Sequence, residues 1–347
     1  MLLLYHIIRE TEKKKLEWYR TEKISDETVK RVQQELENSG YIPNMAGILL
    51  ARNNSRIIGV VVNDHEKYEG RVLEDGFVMS SLNALSHEVN EKGYFLMIKT
   101  TSDIGEKKKN EKGYFLMIKT TSDIGEIPVF ASMWNMDGLI LMGFCETDYE
   151  KLRNQMRISF VVYDGYFEKC SKMVNLVINH YDGGYQAGKY LKELGHKKAL
   201  CIADNFICMD KERIEGFSKA FEPGEILRWE IPKTEKERTI FYEDKYQALF
   251  EKKVTAVFAV SDFYALEFMR FLQSKGIQIP KDIQLIGFDD NIASKESNPP
   301  LITIHQESSL RAKTAIRCLE AMRDGAECKK EIVLPVELIK RESTRKL

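Results

Sequence analysis

Apolar runs of strand length recur along this chain and alternate with segments of helical period. That alternation restricts the folds open to it more than any other feature. The runs are Ile57–Val62, Tyr114–Ile118, Gly138–Met142, Phe160–Tyr163, Ala199–Ala203, Ala256–Val260 and Gln284–Phe288. Between most of them lie amphipathic stretches such as Val78–Val89, Gly183–Leu194, Arg213–Phe221, Phe263–Lys275 and Leu310–Arg323. A strand that is apolar at successive positions has both faces buried, as in a parallel sheet covered by helices. The pattern predicts an α/β protein, and so many strand–helix units predict two doubly wound lobes rather than one sheet. Gly195 closes one helix, Gly276 another with Pro280 beyond it, and Pro299-Pro300 marks a crossing loop. Ile332–Ile339 reads as a late strand.

Residues 1–56 differ, with helical character and no strand signal. Ser25 can cap a helix running to Asn38, with Gly40 beyond it. The apolar start Met1–Ile8 ends at Arg9 and Glu10, too short for a membrane span and without a cleavage signature. The expectation is a cytoplasmic protein with no membrane partner. The segment Asn90–Glu106 is repeated without change at Asn110–Glu126, with Lys107, Lys108 and Lys109 between. Solenoid repeats drift and number three or more, so two identical copies read as a tandem duplication of one strand and its loop. A single copy can fill the sheet position, and the other is a pairing hazard.

The net charge is −1, so any contact with nucleic acid must come from a local patch. The six cysteines form no C-x-x-C pair and have no histidine cluster, which argues against zinc and against any cofactor held that way. Catalytic signatures are missing: no nucleophile elbow, no phosphate-binding Walker loop, no metalloprotease helix. The reading is therefore not an enzyme. Polar residues stand instead at strand ends, where open α/β sheets bind ligands. Asp164 follows one strand, Ser261 and Asp262 another and Asp289 and Asp290 a third, and the carboxylates of Asp164, Asp262 and Asp290 are candidate acceptors for a hydroxyl-rich ligand. Helix capping is the competing role for Asp262 and Asp290. Arg213 opens its helical segment, where a cation opposes the helix dipole and so calls for another reason, such as a ligand. Phe77 and Tyr68, in the first strand-to-helix loop, offer aromatic faces for stacking.

These residues carry a resemblance to the LacI/GalR family of bacterial transcriptional repressors. The matching positions are Gly184, Ala187, Tyr190, Leu191, Leu194, Gly195 and His196, then Arg213, Gly216 and Phe217, then Ala256, Ser261 and Asp262. They continue through Ile279, Pro280, Asp282, Ile286 to Asp290, then Pro300, Thr303 and Gln306, and finish with Leu334, Pro335, Glu337, Arg341, Ser343 and Thr344. Ile24–Val32, Gly40–Asn44 and Ile58–Val61 resemble the family's third headpiece helix, hinge and first core strand.

The resemblance implies a periplasmic-binding-protein-like sensor core behind a small helical headpiece. The expected division is 1–44 headpiece, 45–56 hinge, 57–166 plus 296–324 N-terminal lobe, and 167–295 plus 325–347 C-terminal lobe. It implies a homodimer that binds operator DNA and responds to a small-molecule effector, with a sugar as the default. Effector contacts would come from Asp164, Arg213, Asp262, Phe77 and Asp290, while Gln306 marks an interlobe crossing. Leu50 matches the hinge leucine that wedges between base pairs, and Asn44 lies at the hinge. The headpiece departs from the family where its turn and recognition helix should stand. Lys13, Lys14, Lys15 and Arg20 there could still contact phosphates without reading sequence. Asn205–Met209 does not match the purine-binding branch. The alternative is a cytoplasmic small-molecule-binding protein of the same fold with impaired or lost specific DNA binding.

Overall fold

In the computed structural model the described residues are 57–64, 66–92, 95–102, 126–133, 136–144, 156–165 and 173–347, with six further positions between 27 and 38. The chain divides into two compact units, Met1–Ser55 and Arg56–Leu347. In the first, Glu27, Lys30, Arg31, Gln34, Glu35 and Asn38 are helical and exposed. The DNA-facing candidates Lys13, Lys14, Lys15, Arg20, Asn44 and Leu50 lie outside the described residues.

The second unit is a two-lobed α/β body. Its strands and helices run β1 Ile57–Asp64, α1 Gly76–Glu91, β2 Phe95–Ser102, α2 Glu126–Met133, β3 Gly138–Met142, β4 Phe160–Tyr163 and β5 Met173–Ile178. They continue α3 His180–Glu193, β6 Lys198–Ala203, α4 Cys208–Phe221, β7 Glu225–Glu230, α5 Glu235–Lys245, α6 Gln247–Glu251 and β8 Ala256–Ala259. The remainder is α7 Asp262–Ser274, β9 Gln284–Asp289, α8 Ile292–Glu296, β10 Ile302–Gln306, α9 Ser308–Arg323, β11 Glu331–Leu334 and β12 Val336–Ile339.

One sheet has the order β11-β5-β4-β3-β1-β2 and is parallel throughout. The other has the order β12-β10-β9-β8-β6-β7, with only β12 antiparallel to its neighbour. The central strands β3, β4 and β8 are buried at every residue, which is why they read as unbroken apolar runs. Helix starts carry side-chain caps that accept from orphan backbone donors: Asp75 for α1, Asn179 for α3, Thr234 for α5 and Ser261 for α7.

The lobe boundaries fall elsewhere than the sequence suggests. β5 belongs to the first sheet, so that lobe runs past residue 166, and β10 belongs to the second, although the expected division places 296–324 whole in the first lobe. The stretch that reads as one late strand is two strands, one in each sheet, parted at Pro335. Proline donates no ladder bond, and the chain changes lobes there. It also changes lobes between β5 and α3 and between β10 and α9.

The first copy of the repeat supplies β2, which pairs in register with β1 from Ile57↔Phe95 to Asp64↔Ser102, and the expected strand at 114–118 lies outside the described residues. Deleting 90–109 or 107–126 yields one and the same chain. In it β2 is kept, and the link to α2 shrinks from 103–125 to Asp103, Ile104 and Gly105, within the usual span of about 2–6 residues. Thermal unfolding of that chain should occur at or above the parent temperature. A lowered midpoint would show that the duplicated segment contributes to the fold.

Candidate ligand-binding site

A cavity of about 960 Å³ lies between the lobes, and the ends of strands from both sheets wall it. Lys67 and Tyr68 follow β1, Gly143 and Phe144 follow β3, and Tyr163 and Asp164 end β4. From the other lobe come Asp204 and Asn205 after β6, Lys233 and Thr234 after β7, Ser261 after β8, and Asp289 at the end of β9. This is the carboxyl-end position at which open α/β sheets take ligands. Several of these turns are conformationally costly: Asp164, Cys208, Asp289 and Asp290 all have positive φ, a region non-glycine residues rarely occupy.

Arg213 is the buried cation of this wall. It lies in the second turn of α4 rather than opening the helix, because α4 begins at Cys208. Its guanidinium carbon sits 3.7 Å from the centre of the Phe288 ring, its Nη1 donates to the Val260 carbonyl at 2.5 Å, and its Nε donates to His180 Nδ1 at 3.1 Å.

Asp164 lines the cavity but is engaged from behind. Arg311 Nη2 lies 2.7 Å from one carboxylate oxygen and His180 Nε2 2.9 Å from the other. Burial alone would push this carboxyl up, but Arg311 and His180 outweigh it and hold Asp164 well below the usual carboxylate range. Phe77 lines the cavity half-buried, and Tyr68 beside it meets Phe263 edge-on at 6.1 Å.

Two candidates are corrected. Asp262 does not line the cavity. It is fully buried, accepts from Asn291 N at 3.0 Å and from Thr303 Oγ1 at 2.6 Å, and so ties the loops after β8 and β9 to β10. Burial pushes its carboxyl up to about 7, against the pull of those donors. Ser261 is the residue that caps α7 and faces the cavity. Asp290 also turns away, paired with Arg341, with His305 at 2.9 Å and with Lys295 at 3.7 Å. Asp289, one residue earlier at the end of β9, is the carboxylate that reaches the cavity.

Several cavity residues were not singled out from the sequence. Asp289 is marked at its strand end beside Asp290. Asp204 obeys the same strand-end rule and could have been found by it. Asp210 could not, because its approach depends on how α4 packs. Burial, with Asp204 nearby, pushes the Asp210 carboxyl up to about 6 although Arg213 and Lys67 pull the other way. Burial opposes the charge on Lys67, but Tyr68, Tyr264, Asp204 and Asp210 around it outweigh that and keep it firmly protonated. The Tyr163 hydroxyl is buried on the wall without a protein hydrogen-bond partner. Among the described residues no group of three or more His, Cys, Asp or Glu could hold a metal ion, and no helix is long and apolar enough to cross a membrane.

Comparison with known proteins agrees with this architecture. Residues 189–344 match the model of the periplasmic binding protein-like domain. The chain is 27% identical over 340 residues to the HTH-type transcriptional repressor PurR of Vibrio vulnificus (strain CMCP6), covering 94% of this chain and 93% of the relative. It is 28% identical to the repressor of the same name from Aliivibrio fischeri (strain ATCC 700601 / ES114), covering 93% and 91%. Among solved structures, the lac repressor dimer bound to operator and the anti-inducer ONPF superposes with a TM-score of 0.74 at 19% identity, covering 99% of this chain and 94% of that one. A LacI transcriptional regulator from Alkaliphilus metalliredigens QYMF complexed with D-xylulofuranose gives 0.66 at 23%, covering 84% and 99%. Residues 189–344 thus match a periplasmic binding protein-like domain, within a two-lobed fold shared with those solved structures.

Proposed function

We propose that this chain is a ligand-responsive transcriptional regulator whose interlobe cavity takes a sugar or related polyol. The observation that carries this reading is the cavity wall itself. It sets one buried guanidinium, the carboxylates of Asp204, Asp210 and Asp289, and the unpartnered Tyr163 hydroxyl around a space edged by Tyr68, Phe77 and Phe263. Hydroxyls donate to carboxylates and accept from guanidinium, while aromatic faces cover the apolar side of a sugar ring. Among the lining residues carboxylates outnumber cations, which disfavours a phosphorylated effector. Relatives named as HTH-type repressors, and a neighbour solved on operator as a dimer, support a dimer acting on DNA. An effector shifts such a protein only by binding one lobe arrangement more tightly than the other.

Calorimetric titration with ribose, xylulose, cellobiose and hypoxanthine tests the ligand class. A sugar should bind, and Arg213→Ala should weaken it by on the order of tenfold to a hundredfold, the loss expected for hydrogen bonds from a charged donor. Binding of hypoxanthine alone would overturn the sugar reading. Gel-shift titration on promoter DNA over a series of salt concentrations separates the regulator from a binding protein that no longer reads DNA.

A further inference from the structure

We propose that His180 is a positioning residue of the cavity: it fixes Arg213 in the orientation offered to a ligand and ties that orientation to the opposite lobe through Asp164. The proposal rests on the reading of this cavity as the effector site, and extends it to how the site senses lobe position.

His180 is the first residue of α3, at a point where the chain passes from one lobe to the other, and only 2% of it is exposed. It does not line the cavity but stands behind it. The direction of its hydrogen bonds follows from chemistry. Arg213 Nε carries a hydrogen and can only donate, so the Nδ1 it meets at 3.1 Å must accept. The hydrogen of the neutral ring therefore resides on Nε2, which donates to Asp164 Oδ1 at 2.9 Å. The chain of bonds goes further. Arg311 binds the other oxygen of Asp164 and donates through Nη1 to Gln306 Oε1 at 3.0 Å, and Gln306 Nε2 donates to Asp289 Oδ1 at 2.7 Å. Arg213 and Asp289 belong to one lobe, Asp164 and Arg311 to the other. The circuit thus leaves the cavity wall, passes between the lobes twice and returns to the same wall.

His180 is the member of the circuit whose bond to Arg213 is lost on gaining a proton at Nδ1, while the Asp289 carboxyl, pushed well up by burial, is a second titratable group at its far end. Protonation places a hydrogen on Nδ1, which then faces the Arg213 donor, and the link breaks. Every charged group packed on the ring bears on this: Asp164 at the end of β4, Arg213 on α4 and Arg311 on α9, with the Phe288 ring of β9 at 6.4 Å. Burial lowers the proton affinity of the ring, Asp164 raises it, and Arg213 and Arg311 lower it again, with a net fall below the ordinary histidine range. The ring is therefore neutral near neutral pH, and the unfolded chain takes up the proton first as pH falls.

Hydrogen–deuterium exchange on the full chain without ligand tests this. With His180→Leu, amides at 163–165, 176–180 and 260–264 should exchange about tenfold faster, as expected when a charged hydrogen bond is lost. His180→Gln presents an acceptor and a donor in the same order and should stay near the parent rate. In the parent, those amides should loosen as pH falls below about 6.5, where the unfolded chain begins to take up the proton, after correction for intrinsic exchange, and in His180→Gln they should not. Nitrogen-15 spectra should show Nδ1 of His180 unprotonated at neutral pH. Leu and Gln variants that behave alike, a parent without pH dependence, or an Nδ1–H tautomer would each overturn the proposal. The pH series and the spectra stand even if the Leu variant does not fold. Because no ligand enters this assay, its failure leaves the sugar titration untouched, and the reverse holds.

Discussion

Arg311→Leu should destabilise the two-lobed unit by about 3–5 kcal/mol at neutral pH, the cost of leaving a buried charge without its partner. Arg311 is 2% exposed and serves three groups: Asp164 at 2.7 Å, the Leu176 carbonyl at 2.9 Å and Gln306 at 3.0 Å. Its guanidinium also covers the Tyr163 ring at 4.2 Å. Leucine fills part of the volume but answers none of the polar partners. The sign of the pH dependence gives a second check. In the parent, the depressed Asp164 carboxyl contributes stability that is fully present above the unfolded carboxylate range and is lost as pH falls through its folded value. Without Arg311 the largest remaining influence is burial, which pushes that carboxyl up. Folding of the variant then favours the protonated acid, and its deficit against the parent should narrow as pH falls. Urea unfolding of both chains across the acid range measures this, and a deficit that stays constant or widens would show that Asp164 is not the group left behind.

The second large effect concerns a backbone contact. Gly184→Ala should cost about 3 kcal/mol, at the upper end for overpacking, because the new methyl has nowhere to go. A Cβ at Gly184 would stand 1.8 Å from the Arg213 carbonyl oxygen, one at Gly216 1.9 Å from the Tyr181 carbonyl oxygen, and one at Gly188 2.4 Å from the Phe217 carbonyl oxygen. Helices α3 and α4 therefore pack main chain on main chain. Helix propensity alone argues the opposite sign, since alanine in a helix interior is favoured over glycine by about 1 kcal/mol. The clash with a carbonyl that cannot swing aside outweighs that preference. It would also displace Arg213 and His180, which sit on these two helices. Equilibrium unfolding decides the matter: a stabilised Gly184→Ala protein would mean that α3 and α4 are not so closely apposed.

The strand runs legible in the sequence are those buried on both faces, and β3 and β4 begin and end where the apolar pattern does. Strands β5, β7 and β10 did not stand out in the same way, although β5 and β10 are buried at all but one residue, because Asn175 in β5 and Thr303 and His305 in β10 break the apolar run. β7 is an edge strand, and the exposed Glu225, Arg228 and Glu230 interrupt its apolar pattern. The division between lobes was misplaced because strand membership is set by pairing partners distant along the chain. In the site, the strand-end rule reached Asp164, and the family resemblance supported Arg213, as cavity-lining residues. The same rule marked Asp289 and Asp290 together, and only the folded turn, in which both have positive φ, sends Asp289 to the cavity and Asp290 to Arg341. His180 and Arg311 carry no local signal, since their partners lie far away in sequence.

By itself the sequence determined the α/β class, the two-lobed plan and most of the strands with both faces buried. Hydrophobic period and turn residues are local properties, written in consecutive positions. Only the tertiary structure decided which sheet each strand joins, that Asp262 ties loops together while Asp289 faces the cavity, and that His180 bridges two lobes. Those outcomes depend on desolvation and on hydrogen bonds between residues brought together by folding, and no window along the chain contains both partners.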